Sequence, residues 1–283
     1  MISIIVCSRT KVIPDKLKKN IEDTIGCDYE LVVIDNSMNY LSIFQAYNKG
    51  IRISNGDLLC FLHDDVKICT LNWGLILKEI FKNDSEIGVL GIAGGKSKTL
   101  TPSSWSVHNG SINIIQHYKR IKKNKELVHL GFNSNLEEVV TLDGVFMVFS
   151  SEKKIFFNEK FKGFHFYDMN ICMEAKINGL KNYVTDKITL EHLSEGFQSK
   201  DWIKNGIKMH NHYKNELPIH IDKNIKKIDI EKIAIINLFK KAIYLKEPFL
   251  VIPYFLDLVF YFRKDNKRLI FNYLRSIVTV CIK

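Results

Sequence analysis

Two carboxylates stand side by side at Asp64 and Asp65, preceded by His63 and by the apolar run DLLCFL from Asp57 to Leu62. A strand that is apolar through Leu62 and then delivers two acids places them at a sheet edge. There they repel unless a cation or hydrogen bonds compensate. Oxygen-rich sites of this kind suit Mg²⁺ or Mn²⁺, and such a metal can then take a ligand's phosphates. In an extended chain His63 and Asp65 face one way and Asp64 the other, so one strand end can serve two neighbours. The plainer role for either acid is to cap the following helix, and the residues alone leave both roles open. Two further strand ends carry polar groups, Cys7-Ser8-Arg9 and Asp35-Asn36-Ser37. Asp35 suits a base or ribose contact, and Asp-Asn-Ser suits a simple turn equally well.

The elements that must position these residues alternate. Ser3 to Cys7, Glu30 to Ile34, Asp57 to Leu62 and Ile87 to Ile92 read as buried strands. Pro14 to Ile25, Leu41 to Ser54 and Leu71 to Phe81 read as helices between them, the second closed by Asn55-Gly56. This alternation predicts an α/β fold with a mostly parallel sheet covered on both faces, where ligands bind beyond the carboxyl ends of the strands. Gly94 to Gly110 breaks into Gly, Ser, Thr, Lys and Pro and reads as a long loop. Val139 to Ser150 returns to strand character around Asp143-Gly144. Asp168 to Ile177 reads as a helix, Tyr183 to Leu190 as a last strand, and the chain after about Pro218 as two or three helices. Trp105 and Trp202 are candidate stacking platforms and Lys96 and Lys98 candidate phosphate contacts; packing and solvation are their plainer roles. His210 and His212 lie close together without a carboxylate or cysteine at a metal-site spacing.

Bulk composition bounds the rest. The chain has 283 residues, 46% of them hydrophobic, enough for a sizeable core. The six cysteines (Cys7, Cys27, Cys60, Cys69, Cys172 and Cys281) are scattered without Cys-x-x-Cys spacing, which argues against a disulfide framework or zinc site and for a reducing cytoplasmic setting. MISIIVCSRT reads directly as a strand, so no secretory leader is expected. The longest apolar run, Phe249 to Phe262, is short for a membrane span and is interrupted by Pro253 and Asp257. Net charge is +10, and Ile221 to Lys283 carries 13 Lys/Arg against 6 Asp/Glu, or +7. Basic charge beside apolar, aromatic sequence suits an anionic membrane surface, with a solvated helical appendage as the plainer alternative. No nucleic-acid-binding motif accompanies the excess, so no nucleic-acid partner is expected. No Walker loop or G-x-G-x-x-G follows the first strand, which argues against a P-loop NTPase and a dinucleotide fold.

Taken in order, ISIIVCSR, ELVVIDNS, AYNKGIRISNGDLLCFLHDDV, LDGVFMVF, FNEKFKGFHFYDMNICMEAKINGL and LEHLSEG resemble the inverting GT-A glycosyltransferases of the family 2 type. The likeness is closest to the bacterial branch with His-x-Asp in place of Asp-x-Asp. The resemblance implies a GT-A domain over residues 1–218, with a mixed, mostly parallel sheet flanked by helices, and a basic, aromatic helical appendage over 219–283. It implies transfer of a sugar from a nucleotide-sugar donor, usually a UDP-sugar, to a polysaccharide or lipid-linked glycan acceptor, with Mn²⁺ or Mg²⁺ as cofactor. Ser8, Arg9, Asp35, Asn48, His63, Asp64 and Asp143 would contact the donor. Asp65 would bind the metal, with His192 completing the site, and Asp168 would be the catalytic base. Asp168 and His192 have plainer alternatives as a helix cap and a surface histidine. Besides His63, two positions depart from the family pattern: Tyr47 stands where an arginine is usual, and Tyr167 where Glu often precedes the catalytic Asp. A sugar-phosphate nucleotidyltransferase and a catalytically inactive partner subunit remain as alternatives. CSRTKVIPDK, which lacks glycine, counts against the first, and His63 motivates the second.

Overall fold

The structure is a computed structural model that describes residues 1–118, 125–196, 198–261 and 267–281. In chain order its strands are β1 (Ile2–Ser8), β2 (Tyr29–Asp35), β3 (Leu58–Leu62), β4 (Val66–Ile68), β5 (Ile87–Gly91), β6 (Ala93–Gly95), β7 (Ser97–Lys98), β8 (Gly110–His117), β9 (Lys125–Leu130), β10 (Leu136–Val139), β11 (Thr141–Leu142), β12 (Phe146–Ser150), β13 (Lys181–Thr185), β14 (Leu190–His192) and β15 (Ile219–His220). Its α-helices are α1 (Asp15–Thr24), α2 (Ile43–Ile53), α3 (Trp73–Asn83), α4 (Tyr167–Ile177), α5 (Lys200–His212), α6 (Lys227–Tyr244), α7 (Phe255–Tyr261) and α8 (Lys267–Cys281).

The continuous apolar runs of β1, β3 and β5 lie at the centre of a seven-stranded sheet ordered β10-β13-β5-β12-β3-β1-β2. Strands buried on both faces need no polar alternation. Successive residues feed opposite cores: Ile5 packs with Phe44, Tyr47 and Met173 on the face covered by α2 and α4. Ile4 and Val6 pack with Leu17, Trp73 and Leu77 on the face covered by α1 and α3. Ser42 and Gln45 form a reciprocal capping box that starts α2. β1 runs parallel to β2 and β3, β13 runs parallel to β5, and β12 enters antiparallel between β3 and β5. The sheet is therefore mixed: β2, β1, β3, β5 and β13 run one way, and β12 and β10 run against them. A second sheet, β11-β6-β8-β14-β4 with β9 paired to β8, adjoins the carboxyl end of β3.

Two segments differ from the sequence reading. The stretch 94–110 is not an open loop: it contains β6 and β7, and Ser97, Lys98, Thr99, Thr101 and Ser103 are buried. Its polar groups find partners within the segment and from distant chain. Lys98 Nζ donates to the carbonyls of Ser103 and Ser104, Ser103 N donates to His210 Nε2, and Leu100 N and Thr101 N donate to the Glu231 carboxylate. A polar segment can be buried when every group is satisfied; here α5 and α6 supply that satisfaction, which local composition does not reveal. The expected strand from Tyr183 to Leu190 is divided between the two sheets, with β13 in one and β14 in the other. Asn113 Nδ2 holds the crossing by donating to the carbonyls of Asp186 and Ile188, each at 2.9 Å.

Helices α6 to α8 pack around Ile235, Phe239 and Tyr273 and share that core with Ile203 of α5. Ile230 and Ala234 of α6 pack on Val107. Among the described residues, no helix is long and apolar enough to cross a membrane.

Candidate active site

β3 ends at Leu62 and the chain turns outward through His63, Asp64 and Asp65 before re-entering the second sheet as β4. The register of that sheet builds the site. β4 and β14 are antiparallel with Val66 opposite His192, and Leu193 N donates to the Asp65 carbonyl at 2.9 Å. Residues 192 and 194 thereby straddle Asp65. β14 and β8 are parallel with His192 opposite Gln116. His63, Asp65 and His192 converge so that one ligand atom from each lies within 4.8 Å of the others. His63 Nδ1 and His192 Nε2 stand 3.8 and 3.6 Å from Asp65 Oδ1.

The surroundings prepare these atoms as ligands. Gln116 Nε2 donates to the carbonyls of Ser194 and His117, at 2.8 and 2.9 Å. That orients the amide so that its Oε1, 3.1 Å from His192 Nδ1, must accept a hydrogen bond. His192 therefore carries its proton on Nδ1 and turns the Nε2 lone pair towards Asp65, the arrangement that outer-shell partners impose on metal-binding histidines. Ser194 Oγ donates to Asp65 Oδ2 at 2.6 Å, fixing that carboxylate. Burial opposes ionisation of Asp65, but the two neighbouring histidines and the Ser194 hydroxyl hold its carboxyl well below the usual range. Burial, assisted by His192, lowers the His63 pKa and favours the neutral, ligating form.

His63 has a further partner: its Nε2 lies 2.6 Å from the Tyr167 hydroxyl. The two departures from the family pattern in this region thus contact one another. Tyr167 also packs edge-on against Tyr47 at 5.6 Å between ring centroids, so the third departure belongs to the same cluster. Space for the phenol comes from Gly144, where a Cβ would lie 2.2 Å from the Tyr167 hydroxyl oxygen. Tyr167 begins α4 directly after Phe166, whose left-handed backbone (φ 65°) turns the chain into the helix. Trp202 holds the Phe166 ring at 5.1 Å.

The next residue is Asp168, half-buried in the first turn of α4. Burial and the nearby charge of Asp143 push its carboxyl up to about 7, against the Met169 N–H and the charge of Lys98. Lys98 is fully buried, and burial pushes its ammonium down to about 7, against the charge of Asp168. Burial likewise lowers the His210 pKa well below its usual value, with Lys98 adding to the effect; its Nδ1 lies 2.8 Å from the Gly206 carbonyl.

A cleft of about 560 Å³ opens over this arrangement. Ser8, Arg9, His63, Asp64, Asp65 and His192 line it, as do Asn36, Tyr47, Tyr167 and Ser194. Arg9 lies at the mouth, largely exposed, with Nη2 2.9 Å from Asp64 Oδ1. Four other sequence-predicted residues lie outside the lining. Asp35 is exposed at the end of β2 and accepts from Ser37 N at 2.9 Å, an Asx turn. Asn48 is buried, and its amide ties α2 to Phe157 and Glu159. Asp143 accepts from Val145 N in the turn between β11 and β12. Asp168 is half-buried in the first turn of α4, next to Tyr167 in the chain. Sequence reasoning missed the positioning roles of Gln116 and Ser194. Only the cross-strand register reveals them: Gln116 belongs to no local motif, and nothing within LEHLSEG singles out Ser194. Lys96 is engaged by Glu137 at 2.7 Å.

A family described as "Glycosyltransferase like family" matches residues 3–223 of this chain. No curated protein matches it. Among solved structures, residues 1–349 of TarS from S. aureus, crystallised with UDP-GlcNAc, superpose with a TM-score of 0.51 at 13% identity. That match covers 92% of this chain and 79% of the other. GalNAc-T7, crystallised with UDP, GalNAc and Mn²⁺, gives 0.51 at 12% identity over 75% of this chain and 47% of its own. At such identities the likeness is one of fold, and it is the GT-A fold expected from the sequence.

Proposed function

Because the chain belongs to the glycosyltransferase-like family, we propose that it transfers a sugar, with inversion, from a UDP-sugar held in the β1–β3 cleft to a hydroxyl of a polysaccharide or lipid-linked acceptor. The observation that carries this reading is the His63–Asp65–His192 cluster, whose ligand atoms converge within 4.8 Å beneath that cleft. The donors suit a divalent cation: one ionised carboxylate and two imidazoles whose second atoms are held by Ser194, Gln116 and Tyr167. Two nitrogen ligands favour Mn²⁺ over Mg²⁺, which prefers oxygen. When bound, the cation would supply charge compensation for the diphosphate of the donor. The UDP ligands of TarS and GalNAc-T7, and the Mn²⁺ of the latter, agree with this assignment.

The chain's own residues supply the remaining steps. Ser8 and Arg9 line the cleft on the β1 side, where the cationic Arg9 can meet phosphate oxygens. Asp168, with a carboxyl near pH 7, takes the proton of the acceptor hydroxyl. The acceptor oxygen bonds to the anomeric carbon as the bond to the nucleoside diphosphate breaks, and the leaving group keeps the electron pair. A base whose pKa lies near the working pH combines availability with driving force and is typically worth roughly 10²–10⁴-fold. Asp143 helps keep Asp168 in that range.

Thermal shift and calorimetry with UDP, with and without Mn²⁺, test the donor site; UDP binding that Mn²⁺ does not strengthen contradicts it. Asp168→Asn should retain UDP binding and lose about 10²–10⁴-fold in transfer. Full activity in that variant would remove Asp168 as the base.

A further inference from the structure

A second cavity, of about 820 Å³, lies between α6 and α8. Its wall is apolar at Ile243, Tyr244, Leu269 and Val280, and its charged lining is entirely basic: Lys240, Lys246, Arg268 and Arg275. None of these four cations forms an ion pair among the described residues. Four cations without an ion-pair partner among the described residues, beside an apolar trough, match a ligand that carries a phosphate on a hydrocarbon body.

The flanking helices fit the same occupant. α8 is held by buried Leu269 and Tyr273, and Tyr273 packs against Phe239 and Phe255 at 4.7 and 5.6 Å. The face of α8 away from that core carries Phe271, Leu274 and Val278, which are 63, 46 and 55% exposed. Their spacing of three and four residues makes them one stripe along the helix. Arg268, Asn272, Arg275 and Thr279 form the adjacent stripe, which lines the cavity. Leu256 and Phe260 of α7 are also exposed, at 79 and 62%. Apolar side chains of this size, next to a basic stripe, are the arrangement of a helix lying at the headgroup boundary of an anionic bilayer.

We propose that α6, α7 and α8 form a docking surface for an anionic lipid bilayer, with one lipid phosphate seated in the basic groove between α6 and α8. This deepens the lipid-linked acceptor reading above and rests on it for its purpose, while the groove's charge and shape stand independently. A second copy of the chain is a poorer occupant, because a symmetric contact would set the four cations against themselves.

Flotation with vesicles of phosphatidylcholine alone, and with about a third phosphatidylglycerol, tests the assignment on the full chain. Binding should require the anionic lipid and fall with added salt. A basic residue near such a surface contributes roughly fivefold in affinity, so the combined Lys240→Gln, Lys246→Gln, Arg268→Gln and Arg275→Gln variant should lose binding roughly a hundredfold or more. Phe271→Ser with Val278→Ser should weaken it separately, without altering the charge. UDP binding in the absence of vesicles should be unchanged in both variants, which separates failure of the lipid site from failure of the donor site. Equal binding to neutral vesicles, unchanged binding by the charge variant, or a wild-type dimer that the charge variant dissociates would overturn the proposal. So would inorganic phosphate binding in the groove without any vesicle binding.

Discussion

Replacing Tyr167 by Phe removes a single oxygen and retains the ring that packs against Tyr47. His63 Nε2 then loses its 2.6 Å partner in a partly buried setting. Removing one partner of a buried hydrogen bond costs about 1–3 kcal/mol. At about 1.4 kcal/mol per decade, that range corresponds to roughly fivefold to 150-fold. The loss falls on the ligand itself: with Nε2–H donating to the phenol, the Nδ1 lone pair faces Asp65, and without the phenol that tautomer and ring orientation are no longer held. Loss of outer-shell partners typically weakens metal binding 10–100-fold. Mn²⁺ titration by electron paramagnetic resonance or calorimetry, in the presence of UDP, should therefore show affinity about 10–100-fold weaker than wild type. A thermal melt run in parallel confirms that the variant folds. Affinity within twofold of wild type in a folded variant would refute the reasoning, since it would mean that His63 is neither a ligand nor oriented by Tyr167.

Gly144→Ala sets a Cβ 2.2 Å from the same hydroxyl, so it should displace the phenol and weaken Mn²⁺ binding to a similar degree; unchanged affinity would count against the Tyr167–His63 contact. The transfer rate should rise with pH through about 7, because only the ionised form of Asp168 accepts a proton and burial with Asp143 holds it near that value. Lys98→Met removes a charge that lowers the Asp168 pKa, so the rising limb should move to higher pH; a shift to lower pH contradicts the coupling. Glu231→Gln replaces a carboxylate that accepts from Leu100 N and Thr101 N at 2.7 and 3.2 Å. A cost of about 1–2 kcal/mol should lower the melting temperature by roughly 2–4 °C per kcal/mol, with UDP binding unchanged.

Much of the fold was legible because it rests on local patterns. The apolar runs of β1, β3 and β5 and the four-residue spacing of Leu17 and Ile21 are dictated by burial on two faces or one, and each can be read in a window of a dozen residues. His63-Asp64-Asp65 was legible for the same reason, as polar residues abruptly ending a buried strand. What the sequence left undetermined depends on pairing between distant segments. His63 was assigned to the donor pocket with its role open; the β4–β14 register brings His192 beside it at Asp65. Gln116 acquires its part only because β8 lies beside β14. The polar stretch 94–110 is buried because His210 and Glu231, more than a hundred residues further on, satisfy its backbone. Periodicity along one chain records which faces seek burial. It does not record which strand becomes the neighbour, and at this site the neighbour decides which nitrogen carries the proton.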